Sequence, residues 1–302
     1  SGCLNVGIGV LAMGQAITTG VNNVAIGTAA LDALTSGACN IAIGINALGA
    51  TTVGTNNIAL GLGALGSATT SADNAGNIAI GCMAMGTGVV TGSMNIAIGC
   101  SAGINLTSGV RNIFMGRLSG TGVVTGHYNI AMGESSYQAG TSGCNNIALG
   151  QGAMATAAVT GINNIALGTA AMDALTCGIC NVAIGTNALG ASTIGCRNIA
   201  IGDGAMSGIT TGAANWNIGI GISALAGAGG TTGDSNVALG AFAGAKVTTG
   251  NYNLAIGYAT GCDVTTTDCT INIGKDMNQN SEGVTCIGGS CVMATQFTAT
   301  SD

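Results

Sequence analysis

The residues best suited to chemistry are few, and their spacing limits what they can do. Cys177-Gly-Ile-Cys180 has the CxxC spacing of a redox or zinc motif, but no second CxxC and no histidine cluster stands with it. Its counterpart in a duplicated block is Ser36-Gly-Ala-Cys39, which dissolves the motif. His127 is the only histidine, and no Ser–His–acid set assembles around it within one repeat. Asp32 and Asp173 are equivalent positions of the duplication, so they read as turn caps and not as an acid/base pair. Gly61-Leu-Gly63-Ala-Leu-Gly66 matches the GxGxxG dinucleotide fingerprint, and Gly219-Ile-Gly221-Ile-Ser-Ala224 nearly does. No βαβ context follows either string, and the same glycines recur along the chain. The expectation is a non-enzymatic protein with no catalytic, cofactor or metal site.

Composition removes further classes. Five basic residues in 302, namely Arg111, Arg117, Arg197, Lys246 and Lys275, argue against nucleic acid as a partner. Apolar runs are cut by Asn, Thr or Gly well short of the roughly 20 residues a membrane-inserted helix requires. The 55 glycines do not fall on every third residue and Pro is absent, which excludes collagen. With 47% hydrophobic residues and a net charge of −6, disorder is not expected either.

What positions these residues is a repeat. The pentapeptide Asn-(Ile/Val)-(Ala/Gly)-(Ile/Leu)-Gly opens at Asn5, Asn23, Asn40, Asn57, Asn77, Asn95, Asn146, Asn164, Asn181, Asn198, Asn217 and Asn236. Looser copies open at Asn112, Asn129 and Asn253, and degenerate ones at Thr270 and Val284, giving seventeen copies mostly 17 or 18 residues apart. A second signature, Gly-x-x-Ala-(Leu/Met), follows many of them, as in Gly44 to Leu48. The segment from Asn23 realigns with that from Asn164 at an offset of 141, so eight small repeats were duplicated as a block.

A 17-residue unit is too short for a helix pair, and its alternating, β-branched pattern predicts strands. The fold class expected is all-β, a parallel β-solenoid or β-roll of about 17 coils. Residues 1–274 should form one continuous rod on the order of 80 Å long at about 4.8 Å per coil. Residues 275–302 read as a degenerate last coil and a C-terminal cap. Ser1-Gly-Cys3 enters the first coil without Met or signal peptide, which suggests excision from something larger. The asparagines, Asn23, Asn40, Asn57, Asn77, Asn95, Asn112, Asn129, Asn146, Asn164, Asn181 and Asn198 among them, should stack as an amide ladder.

In Asn-Ile-Ala-Ile-Gly the two Ile share one strand face and Ala takes the other. The first expectation puts Ile and the Leu/Met of the second signature inward, with Ala outward. The uniform smallness of that outward column would then mark close approach of another chain. The alternative inverts the parity, with Ala filling a very flat coil and the Ile row meeting the partner. Phe114 is the outlier in the Ala column, a local splay or plug. The residue after each Gly varies freely (Thr28, Arg117, Glu134, Gln151, Asp203, Lys275) and marks a solvent column.

The strings Asn23–Leu31 (NVAIGTAAL), Asn95–Gly103 (NIAIGCSAG) and Asn236–Gly244 (NVALGAFAG) resemble the head repeats of trimeric autotransporter adhesins. They are also similar to repeats of phage and large-virus tail or fibre proteins. The resemblance spans nearly the whole chain and implies a homotrimer of left-handed parallel β-rolls.

Twelve cysteines suit an extracellular rod with disulfides. Cys82 and Cys100 share a column of adjacent coils, Cys180 and Cys196 lie one column apart, and Cys286 could reach Cys291 across a terminal hairpin. Buried free thiols are the alternative to these pairings. Cys3 and Cys144, equivalent across the duplication, are candidates for joining subunits. Asn105-Leu-Thr107 is a glycosylation sequon. The function expected is a rigid trimeric shaft or head for surface attachment on a cell or virion. Its partners would be sister chains and a receptor, matrix or glycan surface. Alternatives are an extracellular filament stacking end to end and an ice-binding solenoid with Thr columns.

Overall fold

The computed structural model describes residues 2–67, 75–209, 214–227, 232–278 and 280–288. The chain divides into two compact units, Ser1–Gly161 and Ile162–Asp302, each described here by itself. Unit 1 carries β1 (Val6–Ile8), β2 (Val24–Ile26), β3 (Ile41–Ile43), β4 (Ile58–Leu60), β5 (Ile78–Ile80), β6 (Ile96–Ile98), β7 (Ile113–Met115), β8 (Ile130–Met132) and β9 (Ile147–Leu149). Unit 2 carries β10 (Ile165–Leu167), β11 (Val182–Ile184), β12 (Ile199–Ile201), β13 (Ile218–Ile220), β14 (Val237–Leu239), β15 (Leu254–Ile256), β16 (Ile271–Ile273) and β17 (Thr285–Ile287). Each of the seventeen pentapeptides therefore supplies one strand, and the described residues contain no helix.

Within each unit every strand pairs in parallel with the next, always in the same register. Ala42 lies opposite Ala59, Ala59 opposite Ala79, and Ala183 opposite Ala200. The fold is the expected parallel β-solenoid. Coil-to-coil bonds extend beyond the strands: Gly44 N–H donates to Ile26 O at 2.8 Å, Asn46 N–H to Thr28 O at 2.9 Å, and Leu31 N–H to Ala47 O at 3.1 Å. A chain whose amides are spent this way has little room for Pro, which lacks the donor.

The first parity expectation is overturned. The central Ala of each strand is buried, at 0% exposure for Ala25, Ala42, Ala59, Ala79 and Ala97, while the flanking Ile, Val, Leu and Met face outward. The reason is the thickness of the coil. A Cβ built on Gly7, which takes the Ala place in β1, would meet Met13 Cε at 3.2 Å and Ala12 O at 3.5 Å. The space between strand and return segment is one methyl group deep, so an Ile there would overpack it. The inward partners are the Ala and Leu/Met of the second signature, such as Ala47 with Leu48 and Ala171 with Met172. Those are inward as expected, but they sit in tight turns instead of a second strand.

Turning a coil in so few residues requires left-handed backbone. The β3 rung places Cys39 at φ 60°, Asn46 at 56° and Leu48 at 51°, a region non-glycine residues enter at a cost of about 1–2 kcal/mol each. Asn enters it with local help from its short side chain, which accounts for the Asn-Asn pairs Asn22-Asn23, Asn56-Asn57, Asn145-Asn146 and Asn163-Asn164. The Gly closing each strand is obligatory. Gly27 has φ 133°, and a Cβ on it would lie 2.6 Å from Gly44 O.

Candidate functional surfaces

The asparagines form the spine. Asn40 donates its backbone N–H at 3.0 Å and its Nδ2 at 3.1 Å to Asn23 Oδ1, and its Nδ2 also donates to Gly54 O at 2.8 Å. Its own Oδ1 accepts the N–H and Nδ2 of Asn57, at 3.0 and 3.2 Å. The same links run through Asn77, Asn95, Asn112 and Asn129, and the Asn146 N–H reaches Asn129 Oδ1 at 3.0 Å. In unit 2 they join Asn164, Asn181, Asn198, Asn217, Asn236 and Asn253. At Thr270 the hydroxyl takes over from the amide, donating to Asn253 Oδ1 at 2.7 Å. Buried amides satisfied on both sides give each coil a fixed register on the next.

A second ladder, not anticipated from the sequence, occupies the position two residues before these asparagines. Asn215 Oδ1 accepts the Cys196 N–H at 3.0 Å, Asp234 Oδ1 the Asn215 N–H at 2.6 Å, Asn251 Oδ1 the Asp234 N–H at 2.8 Å, and Asp268 Oδ1 the Asn251 N–H at 2.6 Å. Amide and carboxylate alternate, so no two negative charges occupy neighbouring rungs. In unit 1 the same column uses His127, whose Nδ1 accepts the Val110 N–H at 3.1 Å, and Cys144, whose Sγ accepts the His127 N–H at 3.4 Å. The lone histidine thus serves as a rung-to-rung acceptor. The signal was available in sequence as Asx or His two residues ahead of the spine, but it occurs in too few coils to stand out.

Four threonine hydroxyls of one column are likewise engaged. Thr35, Thr107, Thr176 and Thr248 each donate to a carbonyl one coil on, Thr52 O, Val124 O, Thr193 O and Thr265 O, at 2.8–3.1 Å. These four hydroxyls are turned into the backbone of the neighbouring coil.

Two of the expected disulfides are not formed: Cys82, Cys100, Cys180 and Cys196 are all unbridged thiols. Cys286 is buried, and its expected pairing with Cys291 lies outside the described residues. In-register stacking explains this for the first pair. Equivalent residues stand about 4.8 Å apart with parallel Cα–Cβ vectors, whereas a disulfide needs Cβ atoms near 3.8 Å and turned toward each other. Cys3 is exposed and Cys144 half-buried, both in unit 1. The sequon residue Asn105 is exposed, and its Oδ1 accepts the Thr87 hydroxyl at 3.2 Å. Gly61 and Gly63 are coil corners, at φ 135° and 61°.

What remains is the outward sheet face. In each rung the residue before Asn, the two strand-flanking apolar residues and the residue after Gly point the same way. On β3 these are Cys39, Ile41 (37% exposed), Ile43 (40%) and Ile45 (56%). The two inner columns are Ile, Val, Leu or Met in nearly every rung. The two outer ones carry the variable residues, including Arg111 stacked on Tyr128 at 5.5 Å and Arg197 on Trp216 at 5.7 Å. Of the described aromatics only Phe114 and Tyr137 are buried. No protein-family model matches the chain, and no curated protein matches it in sequence.

Proposed function

We propose that the chain is a non-enzymatic structural fibre protein, a rigid β-solenoid shaft or head acting outside the cell or on a virion, with sister chains covering its outward face. The carrying observation is the face itself. Its two inner apolar columns stand about 7 Å apart, and the nine rungs of unit 1, at about 4.8 Å each, make a strip of about 300 Å². A contiguous apolar patch of that extent is often functional. With Ala now inside, the contact between chains belongs to the Ile columns. Three copies are the number that the resemblance to adhesin heads implies. Interlocked buried ladders supply the rigidity, and the variable outer columns are the surface offered to a receptor, matrix or glycan. Sedimentation of the purified chain tests this reading. The expected result is a discrete species of three chains that persists on dilution, and that Ile43→Asp with Ile184→Asp dissociates while the β circular-dichroism signal is kept. A wild-type chain that sediments as a stable monomer at all concentrations overturns it.

A further inference from the structure

Cys82 and Cys100 form the one pair of described cysteines on successive rungs of a single outward column. The pairing of β5 with β6 sets Ile80 opposite Ile98, and the Ser101 N–H donates to Cys82 O at 2.9 Å, which carries the register through both cysteines. Both are exposed and neither is bridged. The unbridged pair suits another partner. The two residues are one coil spacing of about 4.8 Å apart, and with parallel side chains their thiols come within reach of a single bridging metal ion, thiolate–metal bonds being about 2.3 Å for zinc. Among the described residues no group of three or more His, Cys, Asp or Glu comes together, so a tetrahedral zinc centre has no donor set here. Two thiolates alone suit a soft monovalent cation that accepts two-coordination, and thiolates select copper(I).

One cationic group stands next to the charge such a complex carries. Binding releases two protons and leaves one cation between two thiolates, a net charge of −1. Arg117 occupies the next rung of the same column, where the Leu118 N–H donates to Cys100 O at 3.0 Å, and its guanidinium also pairs with Glu134. The Ser101 hydroxyl lies 3.9 Å from Cys100 Sγ, close enough to turn its proton toward a thiolate. The equivalents of Cys82 and Cys100 in unit 2 are Ile222 and Ala241, so the pair is particular to unit 1. We propose that Cys82 and Cys100 form a linear bis-thiolate site for a soft monovalent cation of the copper(I) class, independently of whether the chain builds a fibre.

Silver(I), a redox-inert probe of the same class, tests this on the reduced full-length chain. With one equivalent of Ag⁺ followed by a thiol-alkylating reagent, peptide mass spectrometry should find Cys82 and Cys100 protected together, at least tenfold over Cys39, Cys177, Cys180 and Cys269. Cys82→Ser should abolish the protection of Cys100, and Cys100→Ser that of Cys82, whereas Cys39→Ser should leave both protected. X-ray absorption of the one-equivalent complex should show two sulfur ligands. Protection spread evenly over the exposed cysteines, or a Cys100 still protected in the Cys82→Ser chain, overturns the proposal. Neither single substitution touches the core, so folding is not at issue, and the state of assembly is read separately by sedimentation.

Discussion

The ring of Phe114 lies against Gly103, its Cδ2 only 2.8 Å from where a Cβ on that glycine would stand, and it covers Gly120 on the other side. Both glycines occupy the place that holds Leu or Met in most rungs. One large side chain entering from the strand thus replaces two entering from the turns, which makes the plug expected at Phe114 a packing exchange. The duplicated block shows the same site without its plug. There Gly244 and Gly261 are kept but Ala255 stands for Phe114. Leu225, Val247 and Asn272 line the small void that results, with about 10 Å³ open to a water molecule's centre.

Phe114→Ala should therefore open a comparable void in unit 1 and cost about 3–5 kcal/mol. Gly120→Leu alone should also destabilise, by about 1–3 kcal/mol, because the ring already fills the space. Combined, the two changes should recover part of the loss, with a coupling of about 0.5–3 kcal/mol. Solenoids need not unfold in one step, so amide exchange across Ile113–Met115 is the appropriate measurement. Simple additivity of the two effects would show that the ring and the glycines do not share one space.

Neighbours of like character in β3 separate inside from outside. Ala42→Leu should disrupt its rung by about 1–3 kcal/mol or more, since the coil is one methyl deep at this position. Ile43→Asp, one residue away, should leave the thermal transition of the dispersed chain within about 0.5 kcal/mol while weakening association. Thermal melts followed by circular dichroism, with sedimentation alongside, distinguish the two. The reverse ranking of stability would restore the parity that puts Ile in the core.

Why the sequence misled on parity but not on architecture is a matter of scale. Seventeen copies of one pentapeptide fix the period, the parallel register and the stacked asparagines, because identical residues at one spacing must meet. Whether Ala42 or Ile43 faces in depends on the distance between strand and return segment. That distance is set by left-handed turns at residues such as Asn46 and Leu48, whose side chains do not announce a positive φ. Hydrophobicity favours Ile inside, and only the thickness of the coil decides otherwise. The ladder of Asn215, Asp234, Asn251 and Asp268 escaped notice because four coils do not make a visible period. Cys82 and Cys100 were correctly placed in one column; the error lay in equating a shared column with bonding distance.

Asn40→Asp keeps the shape of the spine and removes its donors. The new carboxylate would face Asn23 Oδ1 and the carbonyl of Gly54, which now accept the Asn40 amide at 3.1 and 2.8 Å. Lost hydrogen bonds and a buried charge should together cost on the order of 3 kcal/mol or more near neutral pH. Burial raises the pKa of a carboxyl in the folded chain. Stability should therefore fall as pH rises through the unfolded value of about 4 and be best preserved below it. Denaturant melts of the variant at low and neutral pH give the answer, and a destabilisation that does not change with pH would argue against a buried ladder carboxyl.

Tyr137 gives the wild-type chain an alkaline limit. Its ring fills a Leu/Met place and lies over Gly140, and its hydroxyl accepts Asn146 Nδ2 at 3.0 Å. Burial holds the phenol well above its usual range, the Asn146 hydrogen bond opposes the shift, and the neighbouring Cys144 adds to it. A raised folded-state pKa means that the neutral phenol belongs to the fold. Its contribution is fully present below the unfolded value of about 10 and is lost as pH climbs above it. Tyr137→Phe should cost about 1 kcal/mol at neutral pH through the lost hydrogen bond, yet flatten the decline of stability above pH 10 that the wild type shows. Amide exchange and ultraviolet titration of the phenols across that range follow both effects. A Tyr137→Phe chain whose stability falls as steeply as the wild type's would place the alkaline limit elsewhere in the molecule.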